Sequence, residues 1–298
     1  MFFRQASQTR RDRARTRAPT LYNVLHQSLG DRAEKKGDPM LKAVVFDMDD
    51  TLLHLNLSAF IAVFAKEEAT ILSQIARRNM LSTFAQFSGA LFELNANERD
   101  DDLTNMQFFR NQIERRCGVP LDDPVVAEAF EFYEREVLPT RNDSIIRARP
   151  RTGSHAIIEQ VVSHGLRTAL LTNPSFSRAC IECRMGWGDM LDMPFELVTS
   201  MENSTRCKPD ARYYLESLEA LGLAPEEVLM VGNDPKRDFP SPDCGIQTAY
   251  VGAGQAARAT WSGTLQELAD GFDEVVDLFY ARQEAEAARR SADAQPAG

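Results

Sequence analysis

The chain has 298 residues, 43% of them hydrophobic and 26% charged, with a formal net charge of −10. That length supports one large or two modest domains with a real core, and the balance is that of a globular protein rather than a disordered or membrane one. No apolar run approaches the roughly 18–20 residues needed to span a bilayer, so no membrane partner is expected. The first forty residues hold nine Lys/Arg against four Asp/Glu, so the acidity is concentrated in the rest. An acidic body argues against nucleic acid as a partner, because phosphate backbones are held by basic faces. Local basic residues still suit a small phosphorylated molecule. Five cysteines scattered through the chain, with nothing resembling a secretory signal, predict a reduced, cytoplasmic setting.

In chain order, residues 1–40 read as a disordered basic tail or a misassigned start, because six arginines and one acid in the first twenty carry no apolar period. Lys42 to Asp47 is short, β-branched and apolar on both faces, as in a central parallel strand. Residues 57–146 then read as helical. Phe60, Phe64, Ile71 and Ile75 have helical spacing, and Thr104 with Gln107 makes a capping box. Asp123-Pro124 opens a further helix carrying Val126, Phe130, Tyr133 and Val137, and Pro139 ends it.

Past Arg147 the pattern alternates. A helix at about Ser154–His164 precedes a strand, Leu166–Thr172, and another helix precedes the strand Phe195–Thr199. Lys208-Pro209 opens a helix through Tyr213 and Leu218 to Gly222, followed by strands at Val228–Val231 and Gln247–Val251. Beyond Phe279 a solvated helix or tail is expected. Cys180 and Cys183 form a C-x-x-C, but no second pair completes a metal site, so ordinary packing is predicted. Strand–helix alternation of this kind means a parallel sheet with right-handed crossovers.

The chemistry is concentrated at strand ends. Residues 44–53 read V-V-F-D-M-D-D-T-L-L, an apolar strand finishing in Asp47 and Asp49. In open α/β sheets ligands sit beyond the carboxyl ends of strands, and two such acids divide nucleophile or metal duty from proton transfer. Thr172-Asn173, Lys208 and the Asp234/Asp238 pair occupy comparable positions. Asp50 reads as a turn residue, and His54, His155 and His164 as packing or surface histidines.

D-M-D-D-T-L, L-L-T-N, K-P-D and V-G-N-D-P-K-R-D, in this order, resemble the four motifs of the haloacid dehalogenase superfamily over residues 41 to about 255. The resemblance implies an α/β fold. Residues 41–56 and 147–262 would form a Rossmann-like three-layer core with a parallel sheet, 57–146 an all-α cap, and 263–298 a C-terminal helix and tail. It implies a hydrolase of a small phosphomonoester, with Asp47 as nucleophile forming an aspartyl-phosphate and Asp49 as acid/base. Thr172, Asn173 and Lys208 would bind the phosphoryl group. Mg²⁺ would be held by Asp47, the Asp49 carbonyl, Asp234 and Asp238. The sequence departs from the common fourth motif in having Asn233 directly after glycine. A phosphomutase on the same core and a non-catalytic ligand-binding protein remain the alternatives.

Overall fold

A computed structural model describes residues 40–96 and 99–293. The expectations for the basic tail before Met40 lie outside the described residues. Six strands form one parallel sheet: β1 (Ala43–Phe46), β4 (Arg167–Leu170), β5 (Phe195–Val198), β6 (Val228–Gly232), β7 (Gln247–Val251) and β8 (Trp261–Gly263). Their spatial order is β5-β4-β1-β6-β7-β8. Two further short strands, β2 (Leu53–His54) and β3 (Arg149–Pro150), pair antiparallel as a separate ribbon.

Every residue of β1 is buried, and its side chains alternate between two cores. Val44 and Phe46 join one hydrophobic cluster, and Ala43 and Val45 join the other. Period-two alternation on a strand covered on both faces yields a three-layer sandwich. The helices α5 (Ser154–Ser163) and α6 (Arg178–Trp187) contribute Ile157 and Ile181 to the first cluster, while α7 (Ala211–Leu221) lays Tyr213, Tyr214 and Leu218 on the second. The short helix α8 (Leu265–Asp270) and the terminal helix α9 (Phe272–Asp293) complete the first face through Leu268, Phe272 and Phe279. β8, which the sequence did not signal, adds a parallel edge strand beside β7.

Between β2 and β3 lie four helices: α1 (Leu57–Ile75), α2 (Met80–Leu94), α3 (Asn105–Cys117) and α4 (Pro124–Phe132). Caps explain their starts. Asn56 accepts from the Ala59 amide and Asn79 from the Ser82 amide. Thr104 and Gln107 form the reciprocal box expected from the sequence, and Asp123 caps α4 ahead of Pro124. The fourth helix does not run unbroken to Pro139. It widens to a π turn at Tyr133–Val137 and tightens to 3₁₀ geometry at Leu138–Arg141. An extra residue accommodated in this way rotates the following side chains, and here Glu134 faces the interior.

Glu134 and Glu68 of α1 are both buried acids. Burial pushes the Glu134 carboxyl up to about 7, with Glu202 and Glu131 raising it further, while Ser177 and Arg135 oppose the shift. Burial and the neighbouring Glu134 push Glu68 up as well. Folding therefore favours protonated Glu134, a contribution complete below the ordinary value of 4.5 and lost as pH rises through about 7. Glu134→Gln should raise the melting temperature at pH 8 and change it little at pH 4.5, by on the order of 2–3 kcal/mol at the higher pH. Melts of the two proteins across this range check the sign.

Candidate active site

Two parallel pairings bring the polar strand ends together. Phe46 is in register with Leu170 of β4 and with Val231 of β6. The ladder continues one step beyond β1, with the Leu171 amide donating to the Phe46 carbonyl at 2.7 Å and the Asp47 amide to the Val231 carbonyl at 2.9 Å. Asp47, Thr172 and the loop after Gly232 consequently emerge side by side at the carboxyl edge of the sheet.

Asp47 is 6% exposed. Its Oδ1 accepts from Lys208 Nζ at 2.8 Å, and the same ammonium donates to Asp238 Oδ1 at 2.7 Å. Lys208 is held by its own backbone, since its amide donates to Asn173 Oδ1 at 3.1 Å. Asp238 is folded back over the end of β6, its Oδ2 accepting from the Asp234 amide at 2.9 Å. Only glycine permits this approach: a Cβ on Gly232 would lie 2.4 Å from Asp238 Cβ. Burial pushes Asp238 up to about 6 and Asp47 adds to that, against the pull of Lys208. Burial also raises Asp47, with Lys208 opposing it. Burial acts against the Lys208 ammonium, yet Asp238 and Asp47 outweigh it and hold the group well above the usual lysine value. Two carboxylates thus share one ammonium, and the cluster keeps an excess of negative charge.

The second Asp47 oxygen faces Thr51. Thr51 Oγ1 lies 3.0 Å from Asp47 Oδ2 and 3.1 Å from Asn233 Oδ1. One hydroxyl proton cannot satisfy both acceptors at once. Thr172 Oγ1 is buried with no hydrogen-bond partner among the described residues. The Thr172 carbonyl is fixed instead, accepting from Tyr213 at 2.8 Å and from Thr199 at 2.7 Å.

The match to known proteins fits this geometry. The chain matches the family of haloacid dehalogenase-like hydrolases over residues 41–241. It belongs to that family. A phosphoserine phosphatase from Thermus thermophilus is 33% identical over 149 residues, covering 49% of this chain and 53% of that protein. The chain thus aligns with about half the length of that relative. An N-acetylmuramic acid 6-phosphate phosphatase from Pseudomonas aeruginosa is 27% identical over 71% of this chain and 81% of its own. Among solved structures, a Thermococcus onnurineus HAD phosphatase superposes with a TM-score of 0.50 at 19% identity, covering 78% of this chain and 98% of the other, a likeness of fold.

Within this haloacid dehalogenase-like hydrolase, the residues expected to hold a metal also make contacts of their own. The expected metal ligands are the Asp47 carboxylate, the Asp49 carbonyl, Asp234 and Asp238, a set that mixes side chains with backbone. Among the described residues no three His, Cys, Asp or Glu side chains are placed to hold an ion. Asp234 Oδ1 accepts from the Lys236 amide at 2.9 Å, so its carboxylate closes its own turn. Asn233, the departure from the common motif, is the loop residue that faces Thr51 beside Asp47. Asp238 is engaged by Lys208. The Asn173 amide group is also committed, donating to Asn95 Oδ1 at 2.8 Å and to Ser175 Oγ at 2.7 Å.

Asp49 has a partner that sequence reading missed. Arg184 of α6 donates from Nη1 to Asp49 Oδ2 at 2.6 Å. The arginine is 0% exposed, and its guanidinium lies 5.0 Å from the Phe60 ring centroid and 4.6 Å from that of Phe176. Asp49 Oδ1 is buried without a partner. An arginine twelve residues past Thr172 on an amphipathic helix carries no motif, so nothing in the sequence singled it out. Asn95, at the end of α2, was missed for the same reason; it ties the helical insert to the Asn173 loop. Asn105 does so too, donating from Nδ2 to the Pro174 and Arg206 carbonyls at 3.1 Å each.

The remaining expectations concern packing. Asp50 takes a left-handed turn conformation (φ 58°). The five cysteines are free thiols, with Cys180 buried and Cys183 partly so on α6. His164 Nε2 meets Asp273 Oδ1 at 2.8 Å, away from Asp47 in the fold. No helix among the described residues is long and apolar enough to cross a membrane.

Proposed function

We propose that this hydrolase is a Mg²⁺-dependent phosphatase of a small phosphomonoester, working through an aspartyl-phosphate, with the helices of residues 57–141 acting as its cap. The observation that carries the proposal is the buried Asp47–Lys208–Asp238 triad at the sheet's carboxyl edge, next to a Thr172 hydroxyl with no partner.

Lys208 favours the ionised form of Asp47 against the effect of burial and aims its carboxylate, and its charge offsets that of the equatorial phosphoryl oxygens. Asp47 attacks phosphorus, and the bond from phosphorus to the ester oxygen breaks. Asp49 gives that oxygen its proton and then takes one from the water that attacks the acyl phosphate, regenerating Asp47 and releasing phosphate. Thr172 supplies a hydroxyl to a phosphoryl oxygen. The insert, tied down through Asn95 and Asn105, keeps bulk water from the intermediate.

The donor chemistry fits magnesium. Every candidate ligand is a hard oxygen: the Asp47 carboxylate, the Asp49 carbonyl and Asn233 Oδ1, with Asp234 beside them in the loop. The excess negative charge and the unserved acceptor at Thr51 point the same way. When bound, the ion neutralises charge on the phosphoryl oxygens. Asn233 replaces a charged ligand by a neutral one. Phosphate release should therefore cease in EDTA and return with added Mg²⁺; an enzyme indifferent to chelation contradicts this site.

The substrate class is tested by measuring phosphate release from sugar phosphates, nucleotides, phosphoglycolate, phosphoserine and N-acetylmuramic acid 6-phosphate. The last two are included because of the names of the relatives. Absence of release from all of them would remove the phosphatase reading.

A further inference from the structure

We propose that the helical insert carries a second binding site, separate from Asp47, for a small organic ammonium ion. The site is a cavity of about 300 Å³ bounded by Phe64, Leu91, Phe109 and Leu121, with Glu68 and Glu134 on its wall.

A buried carboxylate is normally paired with a cation or fully hydrogen-bonded. Glu68 is 2% exposed, and its Oε1 has no hydrogen-bond partner among the described residues. The group acting electrostatically on it is a second acid, Glu134. Glu134 has one partner, Ser177 Oγ, at 2.5 Å. Two interior acids therefore face one cavity, with an open acceptor and no basic side chain bonded to either. Burial favours the neutral form of both acids, and an ammonium group in contact would favour the ionised form by bringing a positive charge and several N–H donors to the open acceptor.

The cavity also limits what the ammonium is attached to. Its volume is about ten times the share of liquid volume of one water molecule, roughly 30 Å³, so a bare monovalent ion would leave most of it empty. Phe64, Leu91, Phe109 and Leu121 give part of the wall an apolar surface that suits a hydrocarbon body, and the rest of the wall is polar. Glu131 and Glu202 line it as well, together with Arg110, Arg135 and Arg178, and the arginines oppose a second positive charge. A monovalent amine of a few carbons satisfies all three constraints. The Glu134–Ser177 bond joins the insert to the loop after Phe176, so the occupant would sit on the seam between insert and sheet.

The test is thermal melting of the full chain with methylammonium, n-butylammonium and phenethylammonium chlorides, with sodium chloride and 1-butanol as controls. A saturable rise in melting temperature is expected for the two larger amines and not for 1-butanol. The rise should vanish in Glu68→Gln, which keeps size and removes charge. It should also vanish in Ala127→Trp, where an exposed position on the cavity wall is used to fill the space. The second variant carries the test if the first fails to fold. Equal shifts for amine and alcohol, no shift with any amine, or a shift surviving both substitutions overturns the proposal. None of these outcomes bears on phosphate release.

Discussion

Asp47→Asn is expected to reduce phosphate release by about four orders of magnitude or more while leaving the protein folded. The amide keeps the shape of the carboxylate and retains one oxygen for Lys208 Nζ, while its NH2 replaces Oδ2 beside Thr51 Oγ1, whose proton can turn to Asn233 Oδ1. What it loses is the nucleophile. The stability side of the prediction follows from charge. In the native cluster Asp47 and Asp238 compete for one ammonium, and each carboxylate raises the cost of ionising the other. Neutralising Asp47 removes one of the two carboxylates competing for the Lys208 ammonium and leaves Asp238 to balance its charge, so the melting temperature should hold or rise. Phosphate release and a melt on the same sample separate the two effects. Retained turnover would mean that another residue attacks phosphorus; lost turnover with a collapsed melt would mean that the carboxylate is chiefly structural.

Much of the fold was legible because its signals are local. The run Ala43–Phe46 is apolar on both faces because both faces are covered, and Thr104 with Gln107 forms its box within four residues. Pairing between distant segments was less legible. β8 is three residues long and only partly buried, so no period marks it. The π turn at Tyr133–Val137 interrupts a run whose apolar spacing reads as one continuous helix. The site divides in the same way. Asp47, Thr172 and Lys208 were found because short motifs flank them. Their partners came from elsewhere: Arg184 reaches Asp49 across 135 positions of sequence and Asn95 reaches Asn173 across 78. Asn233 and Asp234 are adjacent, and which of them turns toward Asp47 is decided by backbone geometry. The Lys236 amide holds Asp234 in its own turn, leaving Asn233 toward Thr51.

Arg184→Lys should slow cleavage of alkyl phosphomonoesters about 100-fold while slowing p-nitrophenyl phosphate less than about ten-fold. General acid catalysis contributes roughly 10²–10⁴ where the leaving oxygen needs a proton, and nitrophenolate departs without one. Arg184 fixes one oxygen of Asp49, Oδ2, while Oδ1 is buried with no hydrogen-bond partner among the described residues; in the proposed mechanism Oδ1 is the oxygen left for proton transfer. Lysine keeps the charge but is a point donor. It cannot match a planar fork that lies over the rings of both Phe60 and Phe176, which meet each other edge to face. Some stability will be lost too, because weakening one member of a buried ion pair leaves the other poorly compensated. The ratio of the two substrates distinguishes these roles. Loss of packing alone lowers the active fraction and slows both esters equally, whereas misplacing the acid slows only the ester whose leaving group waits for a proton. Phe60 belongs to α1 and Phe176 to the loop after β4, so the stack that aims Asp49 is complete only with the insert seated on the sheet. On the proposed mechanism, the seating of the insert that would exclude water would also set the acid in place.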